Sequence, residues 1–262
     1  MSRIEEARKA YEKKDLEGIK RAHDKDRITA EPWHNVSGGR YIKDVVYGAS
    51  DGMLTSFAVV AGATGALLSS TVVLILGLTN LLADGFSMAA GDYLGTRSEM
   101  EYARKERERE TMEVAHMPDG ETEEIRQIFR KKGLAFNLAD KLAEIITSDK
   151  KVWIDVMMTE ELGIIPNENL SPMRSALATF LAFVCAGFMP LLFFVLSYAY
   201  IITNVFALSA MTTGLSLFIV GALRAKVTRR NWLRSGLEML IVGGAAAAVA
   251  YGVGYLLRTL VG

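Results

Sequence analysis

Hydrophobic and polar positions fall into long blocks along this chain rather than mixing. Residues 41–68, 72–94, 174–196, 199–223 and 233–257 are almost uncharged and apolar. Each has the length of about 20 residues that a helix needs to cross the hydrocarbon core of a bilayer. The second block runs without a proline into the charged stretch GTRSEMEYARKERERETMEV. The pattern therefore predicts one helix over residues 74–114, apolar in its first half and charged in its second. At a rise of about 1.5 Å per residue it would be roughly 60 Å long, twice the thickness of a bilayer core. One half can lie in lipid and the other in water.

The remaining segments are polar and helical in period. Residues 1–30 predict an amphipathic helix or pair of helices with Ile4, Ala7, Tyr11, Leu16 and Ile19 on the apolar face, followed by a linker over 31–39. In the insert, MPDGE at 117–121 marks a turn, with Asp119 as the expected cap and a second helix ending at Gly133. A third helical region broken near Ser148 places Leu138, Leu142, Ile145, Ile146, Trp153, Val156 and Met157 at helical spacing. The expected fold is an all-α membrane protein. Its domains are an N-terminal extension (1–40), transmembrane helices 1 and 2 (41–95), a three-helix soluble insert (96–171) and transmembrane helices 3 to 5 (172–262). Gly48 and Gly52 are spaced as a small-xxx-small pair, which lets helix backbones approach closely.

Charge fixes an expected orientation. The links at 69–71 and 197–200 carry no charge, whereas Arg40 and Lys43 and the link RAKVTRRNWLR are basic, and the insert, rich in charge of both signs, must share their side because the uncharged links lie between alternate spans. Basic links face the cytosol, so the N-terminus and the insert are expected there and the C-terminus outside. Lys+Arg and Asp+Glu stand at 30 each, so no nucleic-acid partner is indicated. Cys185 is the only cysteine, which excludes a disulfide or a cysteine metal cluster within one chain. The polar start of the chain predicts no cleavable signal peptide.

Candidate chemistry lies at two depths. Asn80, Asp84, Met88 and Asp92 follow one another at steps of four, on one stripe of an apolar helix, and Asp51 lies inside the first span. An acid at the centre of a membrane helix costs about 2.5–3.5 kcal/mol on insertion scales, so an idle one is expensive. Carboxylates with a thioether lean towards Fe²⁺, Mn²⁺, Co²⁺ or Zn²⁺. Helix-to-helix hydrogen bonding by Asn80 and Asp84, with Met88 filling space, remains the alternative. Asp92 is expected to be hydrated near the interface, and Glu238 to pair with Arg234 one turn back. In the insert, Glu106, Glu110 and Glu113 share one face, Glu121 and Glu124 another, and Met157 and Glu161 a third. Folded together these can form a metal cluster; spacing alone equally allows solvated faces. His23 and His34 are expected to be exposed, and Glu113 with His116 is a single Glu-x-x-His pair.

Four motifs, YGASDGMLTSFAVVAG, DGFSMAAGDYLGTRSE, PDGETEEI and WIDVMMTEELG, resemble the vacuolar iron transporter family in sequence and order, over residues 41–258. The resemblance does not extend to residues 1–40. It implies a homodimer of five-helix protomers in a lipid bilayer, with the ion path between protomers. It implies export of Fe²⁺ from the cytosol coupled to protons, with no permanently bound cofactor and no enzymatic activity. By motif, Asp51 and Met88 match path residues, and Glu110, Glu113, Glu121, Glu124, Met157 and Glu161 match ligands of the cytosolic metal-binding domain. Plant members carry a glutamate where this chain has Asn80, so Asp84 is the candidate substitute. That departure favours a prokaryotic-type member in a plasma membrane. The competing functions are a membrane-bound ferrous iron oxidase and a non-transporting metal sensor.

Overall fold

The computed structural model describes residues 3–30, 41–165, 170–228 and 230–261, and among them every regular element is helical. The linker 31–39, with His34, lies outside the described residues. The N-terminal segment forms α1 (Arg3–Glu12), α2 (Leu16–Ala22) and α3 (Lys25–Ala30). Asp15 caps α2 by accepting from the Gly18 amide at 2.9 Å. The expected apolar stripe holds only in part: Ile4, Ala7 and Ile19 are half-buried, Tyr11 and Leu16 are exposed, and Ala10, Gly18 and Ala22 are the buried positions. Lys14 takes φ +54°, which breaks the register between α1 and α2, so faces counted across it as one helix are wrong. Arg27 ties α3 back to Glu6 of α1 at 2.8 Å.

The second compact unit runs from Asp44 onward. Among the described residues, five helical spans are long and apolar enough to cross a membrane: Ile42–Gly65, Ser70–His116, Pro172–Leu196, Val205–Ala225 and Trp232–Leu260. The chain is an integral membrane protein of all-α class. Helix α4 (Ile42–Gly65) contributes to three apolar clusters: Val60 with Leu81 and Phe183, Met53 with Leu217 and Met239, and Phe57 with Ala247. Large side chains such as Ile75, Phe86, Leu215 and Ile241 remain exposed, as lipid-facing positions require.

Helix α5 (Ser70–His116) is one unbroken element of 47 residues, so the spine predicted from sequence forms and extends at both ends. Ser69 caps its start by accepting from the Val72 amide at 3.4 Å. Against α4 lies α9 (Pro172–Gly187), and Gly48 and Gly52 are the reason it can. A Cβ at Gly48 would sit 2.5 Å from the Thr179 carbonyl oxygen, and one at Gly52 would press on the carbonyl of Phe183.

The third span is not one helix. After α9 come a 3₁₀ turn (Met189–Leu191) and α10 (Leu192–Leu196), because Pro190 has no N–H to continue the ladder. The fourth span, α11 (Val205–Thr228), starts later than residue 199, with Asn204 accepting from the Ala207 amide at 3.1 Å. The fifth, α12 (Trp232–Val261), is capped by Asn231, which accepts from the Leu233 amide at 2.9 Å.

Beyond the spine the insert consists of α6 (Pro118–Lys131), α7 (Phe136–Thr147), α8 (Lys150–Val156) and a π-helical turn (Met157–Glu161). The third helical region is broken near Ser148 as expected, and Asp149 caps the new start by accepting from the Lys151 and Val152 amides at 2.8 and 3.0 Å. Asp119 does not cap α6; Met117 holds that position without a side-chain bond, and Pro118 opens the helix. Gly133, at φ +97°, ends α6 where expected. Val114, Ile125, Ala143, Ile146, Trp153, Ile154, Met157 and Met158 form the insert's core. Leu138 and Ile145 instead face outward, because Ala139, Ala143 and Ile146 take the inner face of α7. Ion pairs fasten the insert: Arg107 with Asp155 at 2.6 Å, Arg130 with Asp140 at 2.9 Å, and Lys132 with Glu160.

Candidate functional site

The membrane stripe is built as its spacing indicated. Asn80 Nδ2 donates to Asp84 Oδ2 at 2.8 Å, one turn along α5. Asp51, on α4, lies near enough to Asp84 for the two carboxylates to act on each other electrostatically. Asn80, Asp84, Met88 and Asp51 are all half-buried. Met88 packs at the edge of the Leu81–Phe183 cluster, so it fills space as well as offering a sulfur.

Further polar groups nearby are tied to neighbouring helices. Asp92 accepts from the buried Thr179 hydroxyl at 2.9 Å, rather than standing hydrated. Asp44 accepts from the buried Ser175 hydroxyl at 2.5 Å. The sequence reading missed Asp44; hydroxyls four apart in the apolar stretch of α9 were the available signal. Glu238 pairs with Arg224 at 3.0 Å and not with Arg234, because Arg224 reaches it across the packed α11–α12 pair.

In the insert, the glutamates singled out by spacing form a mutually interacting group. Glu110 is fully buried, and neither of its oxygens has an aligned hydrogen-bond donor. Arg109 Nη2 does approach Glu110 Oε1 at 2.8 Å, as an ion pair without hydrogen-bond alignment. Burial pushes the Glu110 carboxyl up to about 7, Glu161 adds to this, and Arg109 opposes it. Glu121 is buried with one oxygen unpartnered; burial first, then Glu124 and Glu110, push it up to about 7. Glu161 is raised by desolvation and by Glu124. Desolvated carboxylates that share a site resist ionising together, which is the electrostatic condition a bound cation relieves.

The other members complete the group. Arg109 also binds Glu106 at 3.0 Å and Glu113 at 2.6 Å. Met157 is fully buried at the start of the π turn, where the Leu162 amide reaches back to its carbonyl at 3.3 Å. The π turn carries Glu161 to the group; such turns are frequent at functional sites. As the side chains stand, no three His, Cys, Asp or Glu among the described residues converge tightly enough to hold an ion. His116 is exposed with Nδ1 at 2.8 Å from the Met112 carbonyl, and His23 makes the equivalent contact with Ile19.

Comparison with known proteins adds a family. The model of the VIT family matches residues 42–255. A vacuolar iron transporter of Toxoplasma gondii is 35% identical, with the alignment covering 99% of this chain and 90% of that protein. One of Plasmodium berghei is 31% identical over 98% of this chain and 97% of its own length. The vacuolar iron transporter 1 of Oryza sativa is 32% identical, covering 87% and 90%. The first two alignments run through residues 1–40, so the likeness does not stop at the first span as its motifs suggested.

Proposed function

The chain belongs to the VIT family, and from that premise we propose that it carries Fe²⁺ out of the cytosol across its membrane in exchange for protons. Membership makes it a transporter and not an enzyme. The observation that carries the reading is that Asp51 and Asp84, on two apolar helices, lie within electrostatic reach of each other, with Asn80 bonded to Asp84 on the stripe that leads to Met88. Two half-buried acids at membrane depth can hold a divalent ion when both are charged. They can release it when both take protons. The Met88 thioether favours Fe²⁺ over the harder Mn²⁺, and Co²⁺ and Zn²⁺ suit the same ligands as further cargo.

In this reading the insert is a cytosolic collector, with Glu110, Glu113, Glu121, Glu124, Glu161 and Met157 as ligands and Glu106 beside them. Two protomers associate so that the half-buried stripe of α5 faces its counterpart. The relatives' names refer to vacuoles; for this chain we place the protein in a prokaryotic plasma membrane, on the strength of Asn80 at the plant glutamate's position. The test is Fe²⁺ flux into proteoliposomes with and without an imposed pH gradient. Wild type should show gradient-dependent flux and Asp51→Asn should lose it while keeping its size-exclusion profile. Flux independent of the gradient would refute the exchange, and oxidation of Fe²⁺ without flux would point to an oxidase.

A further inference from the structure

Arg109 lies in the middle of the acidic group. Its three guanidinium nitrogens go to three different glutamates: Nε to Glu106 at 3.0 Å, Nη2 to Glu110 at 2.8 Å and Nη1 to Glu113 at 2.6 Å. These occupy the positions three before, one after and four after it on α5. The arginines on either side behave differently. Arg107 reaches out to Asp155 of α8, and Arg104 lies 3.8 Å from Glu108. Among the described residues, Arg109 is the cation turned into the cluster.

We propose that Arg109 is a built-in placeholder, an intramolecular cation that occupies the metal-facing oxygens of α5 and must be displaced by the incoming ion. This rests on the reading of the insert as a metal site. A guanidinium cannot leave by losing its proton, because it stays charged at any physiological pH. It leaves by rotating its side chain, and at 43% exposure the way to water is open. The oxygens it holds belong to Glu110 and Glu113, which the ion needs, and to Glu106 beside them. The exchange sets a threshold. A monovalent ion brings no more charge than the guanidinium and lacks its fork of hydrogen bonds. A divalent ion brings twice the charge and takes carboxylate oxygens directly. Arg109 therefore discriminates against Na⁺ and K⁺ and holds divalent affinity down, which suits a collector that must pass its ion on. It also offsets the repulsion among three carboxylates while the site awaits an ion.

The test is calorimetric titration of the full-length protein in detergent with Fe²⁺ under oxygen-free conditions. Arg109→Gln removes the charge and keeps hydrogen-bonding capacity. It should tighten Fe²⁺ binding about tenfold, since three pairs made by a half-exposed guanidinium are released. It should also let high KCl compete more strongly than in wild type. Arg109→Lys keeps the charge and loses the fork, so its affinity should lie between the two; tighter binding by the Lys variant than by wild type suffices if the Gln variant does not fold. Glu121→Gln, scored alongside, separates the two ideas. If it leaves Fe²⁺ binding at the wild-type level, the insert is not the site and the placeholder falls with it. If it weakens binding while both Arg109 variants bind no tighter than wild type, the site stands and the placeholder is overturned.

Discussion

If the insert captures metal as proposed, two buried glutamates raised towards neutrality make that capture steeply dependent on pH. Glu110 and Glu121 are each pushed up to about 7, chiefly by burial. At pH 8 each is about nine-tenths ionised, and at pH 6 about one-tenth. If both must be ionised to bind, the competent fraction falls about 100-fold across those two pH units. Ordinary exposed glutamates would change it by less than about twofold over the same range. The stability of the insert without metal should move the other way. A carboxyl raised in the folded state contributes stability that is fully present below its unfolded value of 4.5 and is lost as pH rises through about 7. Acidification from pH 8 to pH 6 should thus stabilise the metal-free protein while it weakens metal binding. The assay is calorimetric titration with Fe²⁺ at both pH values in two buffers of different ionisation enthalpy, so that released protons are counted. Roughly two protons should leave per binding event at pH 6 and only a small fraction of one at pH 8. A change in affinity under about threefold, with no proton release at pH 6, would show that these carboxyls are not coupled to the metal.

Other expectations follow from packing and placement. Gly52→Ala forces a Cβ to within 3.0 Å of backbone atoms of Phe183, and overpacking of that kind costs about 1–3 kcal/mol. Its thermal midpoint in detergent should fall, while Gly244→Ala, which meets nothing within 4 Å, should not. Asp84→Asn should remove pH-driven flux if Asp84 replaces the carboxylate absent at Asn80; wild-type flux would reduce it to a hydrogen-bonding partner of Asn80. Met88→Leu keeps the packing beside Leu81 and Phe183 and should penalise Fe²⁺ more than Mn²⁺ in competition flux assays. Cysteines introduced near Gly120 and at Leu260 should label from opposite faces of sealed vesicles, and labelling from one face would break the five-span orientation.

Much of this architecture is legible in the sequence because length and period carry it. The five spans and the continuous α5 follow from block length and from the lack of a proline between Leu74 and Val114. Pro190, equally visible, breaks α9 from α10, whereas the late start of α11 is hidden because residues 199–203 are as apolar as the helix that follows. Faces fail where a register break intervenes, as at Lys14, and pairings fail where the partner is on another helix, as for Glu238 with Arg224. Spacing puts the insert's glutamates on shared helix faces but equally allows solvated ones, and only the family resemblance points to a cluster. The burial of Glu110 does not follow from spacing, because a charged helix reads as a solvated one; an arginine flanked by glutamates at −3, +1 and +4 was the local sign of it.

The continuous α5 also separates what the two acidic groups can do. Asp84 and Glu110 lie on the same helix, and at about 1.5 Å per residue they are roughly 40 Å apart along its axis. Ligand exchange between carboxylates needs a few ångströms, so no ion passes directly from one group to the other. The helix has no proline between them at which to fold one towards the other. In the proposed function, the insert then acts on the supply of ions and the stripe on the crossing itself. Removing insert ligands, for instance with Glu121→Gln and Glu124→Gln together, should raise the Fe²⁺ concentration for half-maximal flux and leave the maximal rate near wild type. Asp51→Asn should lower the maximal rate even at saturating Fe²⁺. Initial rates in proteoliposomes across a range of Fe²⁺ concentrations distinguish the two. A loss of maximal rate in the insert variant, with its fold intact by circular dichroism, would mean that metal in the insert drives a motion of α5 and that collection is not its main task.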